Sequence, residues 1–312
     1  MSTVAELFKT KPGVSFKRIL VATDFSQASE HAVDFALKFA RHYGSELFVV
    51  HAFEPEPRQA VTLDPLPREL NRQRLEAEQH MTPLEDDPRI KAVSHHVRLR
   101  AGKAWEVLAA MTQNEKADLL IVGTHGRSYL KKLALGSVAE AVLRKVDCPV
   151  ITVGPKVVLP EVTDCRSILF ATDFGPASRK ALPYAISLAQ ESGAKLVLLH
   201  MVPPVTAMQA GYVPAVFGAE DAFEWQSTAR QESEKELKEL VPPGTLSCEP
   251  EYIVGLDFMP EGVLTVAAKY NADMIVMGAN SSSSPRLAAH LPWAMLHKVI
   301  CQSRCPVLTV KG

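Results

Sequence analysis

Gly123, Gly126, Gly136 and Ser137 stand at the spacing G-x2-G-x9-G-S. Closely spaced glycines let a backbone pass near a ligand with no Cβ in the way, and a Gly-Ser pair opening a helix offers free amide N–H groups to an anion. That chemistry suits the phosphate chain of a nucleotide. The apolar run from Ala117 to Val122 reads as a buried strand and the amphipathic stretch from Ser137 to Val146 as a helix, so the glycines occupy a strand-loop-helix junction. Arg127, with Lys131 and Lys132 nearby, supplies cations there, and the planar fork of an arginine bonds two phosphate oxygens at once. Ser137 also reads as the first residue of a capping box with Glu140, a role that needs no ligand. The junction is neither a Walker A loop, since no Gly-Lys-Ser/Thr follows at the needed distance, nor a Rossmann fingerprint, since no G-x-G occurs.

Other reactive side chains are more ambiguous. Asp24 and Asp173 read either as carboxylates for Mg²⁺ or catalysis, or as acids that shape a turn by bonding local N–H groups. His125 lies in the glycine loop, either near a γ-phosphate or as a polar surface residue. His297 and Cys301 share a helix face at i, i+4, with His290 and Cys305 close in sequence, but no tetrahedral zinc spacing emerges and a buried helix face is the simpler reading.

With 312 residues the chain is long enough for two domains of about 150 residues, each able to bury a core. Hydrophobic residues make up 47% and charged ones 22%, and the formal net charge is −1, so no global pull toward nucleic acid or an anionic membrane exists. The N-terminus lacks a basic segment followed by an apolar one, and no apolar run approaches the roughly 20 residues of a membrane span. A cytoplasmic protein is expected. Five scattered cysteines fit reduced thiols better than a disulfide framework.

The chain repeats itself. Ile19 to His51 aligns without gaps on Ile168 to His200, sharing I-L-x-A-T-D-F-x-x-A-S, then Gly44 with Gly193 and His51 with His200. Ala117-Asp118 matches Ala272-Asp273, and each half closes on C-P-V-x-T-V from Cys148 and Cys305. The first half reads as strand 18–23, a helix capped by Ser26 and ended by Gly44, strand 46–53, helix 68–81, strand 92–99, helix 103–113, the glycine junction and strand 150–153. The second half gives strands near 167–172, 195–201, 248–254, 273–278 and 307–310, with Pro183 expected to kink or loosen its first helix. Strand-helix alternation implies an α/β chain: two tandem doubly wound domains, 1–155 and 156–312, each a mainly parallel five-stranded sheet with helices on both faces. In such sheets a ligand sits at the carboxyl ends of the strands, near the topological switch point.

The glycine spacing after its strand, together with the repeated front segment, resembles the ATP-binding signature of the universal stress protein family, over nearly the whole chain. The resemblance implies an adenine nucleotide alpha-hydrolase-like fold and an ATP cofactor, with Mg, across the ends of the first and fourth strands. It implies that Ala22, Thr23 and Asp24 meet the adenine and that Ala52 closes over the base. Gly123, Thr124, Gly126, Arg127 and Ser128 then surround ribose and phosphates, and Gly136, Ser137 and Val138 hold the phosphates. In that family the last strands pair across a dimer interface, so the duplication implies an internal pseudo-dimer, with a further homodimer left open; such pairing removes two unprotected sheet edges.

The second half departs from this pattern. It reads Gly278-Ala279-Asn280-Ser281, a serine run to Ser284, and Leu291-Pro292-Trp293 where Gly-Ser would stand, so the domain at 156–312 is expected not to hold ATP in the same manner. Tyr212 to Trp225 either lines an apolar pocket or packs on a helix. The implied function is an ATP-binding regulatory or stress-response protein with one nucleotide site, in the N-terminal half, and at most slow hydrolysis. A true ATPase or nucleotidyl transferase using Asp24, His125 and Arg127, and a module that binds a partner or another small molecule, are the alternatives.

Overall fold

A computed structural model describes residues 14–54, 66–126, 135–158, 165–204, 219–279 and 293–312. Residues 15–157 form one compact unit, and residues from 158 onward belong to another. The first runs β1 (Arg18–Ala22), α1 (Gln27–Tyr43), β2 (Glu46–Phe53), α2 (Leu66–Asp86), α3 (Pro88–Lys91), β3 (His95–Ala101), α4 (Ala104–Asn114), β4 (Leu119–Gly123), α5 (Ser137–Lys145) and β5 (Val150–Val153). The second runs β6 (Ser167–Thr172), α6 (Pro176–Ser192), β7 (Lys195–Val202), α7 (Ala219–Leu240), β8 (Glu251–Leu256), α8 (Glu261–Lys269), β9 (Met274–Ala279), α9 (Trp293–Gln302) and β10 (Val307–Lys311).

Within each unit the strands are parallel, ordered β3-β2-β1-β4-β5 in the first and β8-β7-β6-β9-β10 in the second. The order reverses between β1 and β4, and again between β6 and β9, so each unit has one switch point where two strand ends open a crevice. This is the doubly wound α/β fold expected from the repeat. The central strands are apolar along their length because helices cover both faces: Ile19, Leu20 and Val21 of β1 and Leu119, Leu120 and Ile121 of β4 are fully buried. Helix α1 buries its Ala32, Phe35, Ala36, Phe39 and Ala40 stripe and stops at Gly44, whose φ of 62° lets its N–H reach the Ala40 carbonyl.

Two expectations shift. The third strands begin three residues later than their local pattern suggests, at His95 and Glu251, because pairing with the neighbouring strand sets the register: Leu47 faces His95 and Val197 faces Glu251. Residues 88–91, just before β3, instead form the short α3, whose first turn is capped by the Asp87 carboxylate accepting the Arg89 N–H. Helix α6 runs unbroken through Pro183.

The repeated Ala-Asp pair has a plain structural reason. Asp118 Oδ2 accepts the N–H groups of Lys17 and Arg18 at 2.8 and 2.9 Å, and Asp273 Oδ2 accepts those of Arg166 and Ser167 at 2.7 and 3.1 Å. Each acid stands one residue before a fourth strand and clamps the entry of a first strand, so it aligns the two strands that form the crevice. Asp118→Ala and Asp273→Ala should each lower the unfolding free energy by about 1–3 kcal/mol, as expected when two amide donors lose a charged acceptor, measured by urea denaturation.

Candidate functional site

The crevice of the first unit begins at the turn from β1 into α1. Phe25 has a φ of 61° and Phe174, its counterpart in the second unit, 59°, a left-handed conformation that a bulky residue adopts only when its surroundings hold it there. Side chains hold it. The Thr23 hydroxyl accepts the Phe25 N–H at 3.1 Å, and Asp24 Oδ1 accepts the Ser26 N–H at 3.1 Å and the Ser26 hydroxyl at 2.5 Å. The second unit repeats the device: Thr172 accepts from Phe174 at 2.9 Å, and Asp173 from Gly175 at 2.9 Å and Ser178 at 2.6 Å. Of the two readings of Asp24 and Asp173, turn shaping is therefore in place for one oxygen of each.

A histidine closes the turn from below. His51 Nδ1 donates to the Thr23 carbonyl at 2.7 Å while its ring lies 4.6 Å from that of Phe25, and His200 bonds Thr172 at 2.9 Å with its ring 4.4 Å from Phe174. Burial holds His200 below the ordinary imidazole range, an effect partly offset by that bond.

The glycines do different work. A Cβ on Gly123 would lie 2.9 Å from the Ala28 carbonyl oxygen, and one on Gly278 would lie 2.5 Å from the Ala177 carbonyl carbon. At both positions the end of the fourth strand presses on the first turn of the first helix of the same unit, α1 or α6, which explains why this glycine is present even where the rest of the loop is not repeated. Gly126 and Gly136 face the crevice instead. A Cβ on Gly126 would meet Asp24 Oδ2 at 2.8 Å, and one on Gly136 would meet the Thr124 carbonyl at 3.3 Å and Gly126 N at 3.7 Å. Asp24, Gly126 and Gly136, distant in sequence, are thus brought together at the switch point.

The start of α5 differs from a capping box. Gly136 is the N-cap, with φ −62° and ψ 145°, and no side chain caps the helix among the described residues. Ser137 is the first helical residue and exposed, and Glu140 pairs with Arg144 at 3.1 Å instead of reaching back. The Gly136 N–H is already given to the Thr124 carbonyl at 2.8 Å, so the anion-facing donors of this helix are the amides of Ser137 and Val138. Thr124 is fully buried, with its N–H on the Val153 carbonyl at 3.0 Å and its hydroxyl 2.8 Å from His125 Nδ1. His125 is buried too, not a surface residue.

Ala22 ends β1 and Ala52 is the penultimate residue of β2, on the same side of the sheet and both half-buried. Sequence reasoning overlooked Arg100. Parallel pairing sets it opposite Ala52, which puts an exposed guanidinium beside the position expected to meet a base. The alternation of Arg98 and Arg100 at the end of an edge strand was the available signal. Arg127, Ser128, Lys131 and Lys132 lie outside the described residues, as do His290, Ser281 to Ser284, Leu291 and Pro292 and residues 212–218 of the 212–225 stretch.

Among the described residues no group of three or more His, Cys, Asp or Glu is placed to hold a metal ion, and His297 Nδ1 stands 3.9 Å from Cys301 Sγ as the shared helix face requires. All five cysteines are free; burial pushes the thiols of Cys148 and Cys165 up to about 12 and those of Cys301 and Cys305 up to about 11. No helix among the described residues is long and apolar enough to cross a membrane.

Two doubly wound units, each with its strand order reversing at one switch point and one with Gly126 and Gly136 meeting there, define a class of tandem doubly wound α/β proteins. Comparison narrows it: the profile of the universal stress protein family matches residues 15–154 and again 165–311, so the chain belongs to that family, twice over. A universal stress protein of Thermus aquaticus is 34% identical over 142 residues, 44% of this chain and 98% of its own length. One from Methanocaldococcus jannaschii is 26% identical over 141 residues, 44% of this chain and 82% of its own. The crystal structure of a universal stress protein from Archaeoglobus fulgidus covers 94% of this chain and 98% of its own, with a TM-score of 0.62 and 22% identity, a likeness of fold.

Gly123→Ala should cost about 1–3 kcal/mol of stability because its neighbour is rigid helix backbone, whereas Gly126→Ala should cost less because a carboxylate can turn aside; urea midpoints decide. A second expectation concerns pH. The unfolded chain protonates His200 near 6.5 while the folded chain resists, so this contribution to stability is present above that pH and is lost as pH falls through the folded value. Urea midpoints measured from pH 7.5 to 5.0 should fall less steeply in His200→Gln than in the unaltered chain.

Proposed function

We propose that the chain is an ATP-binding regulatory protein of the stress response, with one adenine-nucleotide site in the N-terminal half. The observation that carries this reading is the meeting of Asp24, Gly126 and Gly136 at the switch point, beside a helix start that no side chain among the described residues caps. Phosphate oxygens would take the Ser137 and Val138 amides and the backbone of Gly126, with Arg127 and Ser128 from the neighbouring loop. The base would rest near Ala22, Thr23 and Ala52, with Gly123 and Thr124 forming the floor beneath the ribose. Arg100 adds a flat cation beside Ala52, suited to stacking on a base.

A magnesium ion, where ATP carries one, would be held chiefly through the phosphates. Asp24 reaches the loop, and one of its oxygens is engaged by Ser26, a donor set that fits an ion shared with a nucleotide better than a dedicated metal cage. This favours binding and signalling over turnover. His125, the nearest base, is buried against Thr124, and hydrolysis at most slow is the corresponding expectation. We place the protein in the cytoplasm and its functional halves at 1–155 and 156–312.

Calorimetric titration of the full chain with ATP and Mg²⁺ should give one nucleotide per chain. Gly126→Val and Gly136→Asp should each weaken binding about 10- to 100-fold, the first by crowding the phosphates and the second by setting a like charge beside them, with unchanged circular dichroism. Unaltered affinity in both variants, or two nucleotides per chain, defeats the assignment.

A further inference from the structure

The two crevices differ at one pair of facing residues. His51 and His200 bond and stack in the same way beneath their turns, so Ala52 and Met201, the next residues on β2 and β7, are structural counterparts. Across the sheet Ala52 faces Arg100, and Met201 faces Gly255. Bulk has changed strands: small against long in the first unit, long against nothing in the second.

Met201 uses the space. It is 8% exposed, and a Cβ on Gly255 would lie 2.5 Å from its sulfur and 2.8 Å from its terminal methyl. A Cβ on Gly262, in the first turn of α8, would lie 2.9 Å from the same sulfur. The thioether therefore sits in a notch made by two glycines, one from a strand and one from a helix, and Leu199 packs beside it. At the position of Gly262 the first unit carries Val107, whose side chain lies 3.2 Å from where a Cβ on Gly102 would stand, so the glycine notch of the second unit has no counterpart there.

We infer that Met201 is an internal plug that fills, in the second half, the slot Ala52 leaves open in the first, and that this residue decides which half accepts a flat heteroaromatic base. A methionine suits the task because its unbranched, polarizable chain fills irregular gaps. For the first half the inference rests on the nucleotide reading above; for the second it stands on the packing of Met201 alone. The missing phosphate cradle is then not the only reason for the asymmetry: even a ligand without phosphates is excluded from the second half.

Adenosine, which needs no phosphate cradle, is the probe for the second half, and ATP with Mg²⁺ for the first, both titrated calorimetrically into the full chain. Met201→Ala and the milder Met201→Val should bind one more adenosine per chain than the unaltered protein, and Ala52→Met should weaken ATP binding by about tenfold or more with unchanged circular dichroism. In the unaltered chain labelled at methionine methyls, the Met201 signal, assigned by its loss in Met201→Val, should not move with saturating adenosine. A Met201 methyl that shifts, folded Met201 variants with no added adenosine, or an Ala52→Met chain that binds ATP as before overturns the inference. If the unaltered chain takes no ATP, the nucleotide reading of the first half fails by itself, and the adenosine titrations still decide the role of Met201.

Discussion

The near-collision between the end of the fourth strand and the start of the first helix is the constraint on which each unit depends. Gly123 abuts the Ala28 backbone and Gly278 that of Ala177, closer than any side chain would allow. That approach brings the loop after the fourth strand over the turn after the first, and only then can Gly126 stand against Asp24. The clamp of Asp118 and Asp273 on the first strands works toward the same end from the opposite, N-terminal ends of the strands.

Around this shared scaffold the two units have kept the turn and changed the rim. The left-handed phenylalanine, its threonine and aspartate partners, and the histidine beneath it recur with nearly equal geometry. A strained turn of this kind costs of order 1–3 kcal/mol and persists where hydrogen bonds and ring contacts over-determine it. Its recurrence in both units marks it as part of the fold, whereas the facing pairs Ala52 with Arg100 and Met201 with Gly255 differ in where they place their bulk.

The architecture was legible because its signals are periodic and repeated: the apolar stripe of α1 and the closing glycines at 44 and 193 reappear at one offset through the second strand, and the later strand runs reappear at a somewhat larger one. The limits of the third strands were not, since an edge strand takes its register from its neighbour and local pattern does not encode that partner. The four glycine-loop residues could be listed from spacing, but their distinct tasks could not. Spacing alone does not distinguish a glycine needed for backbone packing, such as Gly123, from one facing a crevice, such as Gly126. Nor does it show that the Gly136 amide is already given to Thr124, leaving Ser137 and Val138 as donors. Arg100 escaped notice because it belongs to no local motif and acquires meaning only from the strand beside it.

By itself the sequence determined that this is a duplicated α/β chain with one intact and one altered glycine loop, because hydrophobic period, helix caps and repeat spacing are local properties. Tertiary structure alone decided which atoms face one another across the crevice: Asp24 against Gly126, Ala52 beside Arg100, Met201 lodged between Gly255 and Gly262. Those pairs join residues far apart in the chain, and their separation is set by strand order and helix packing, quantities that no short stretch of residues contains.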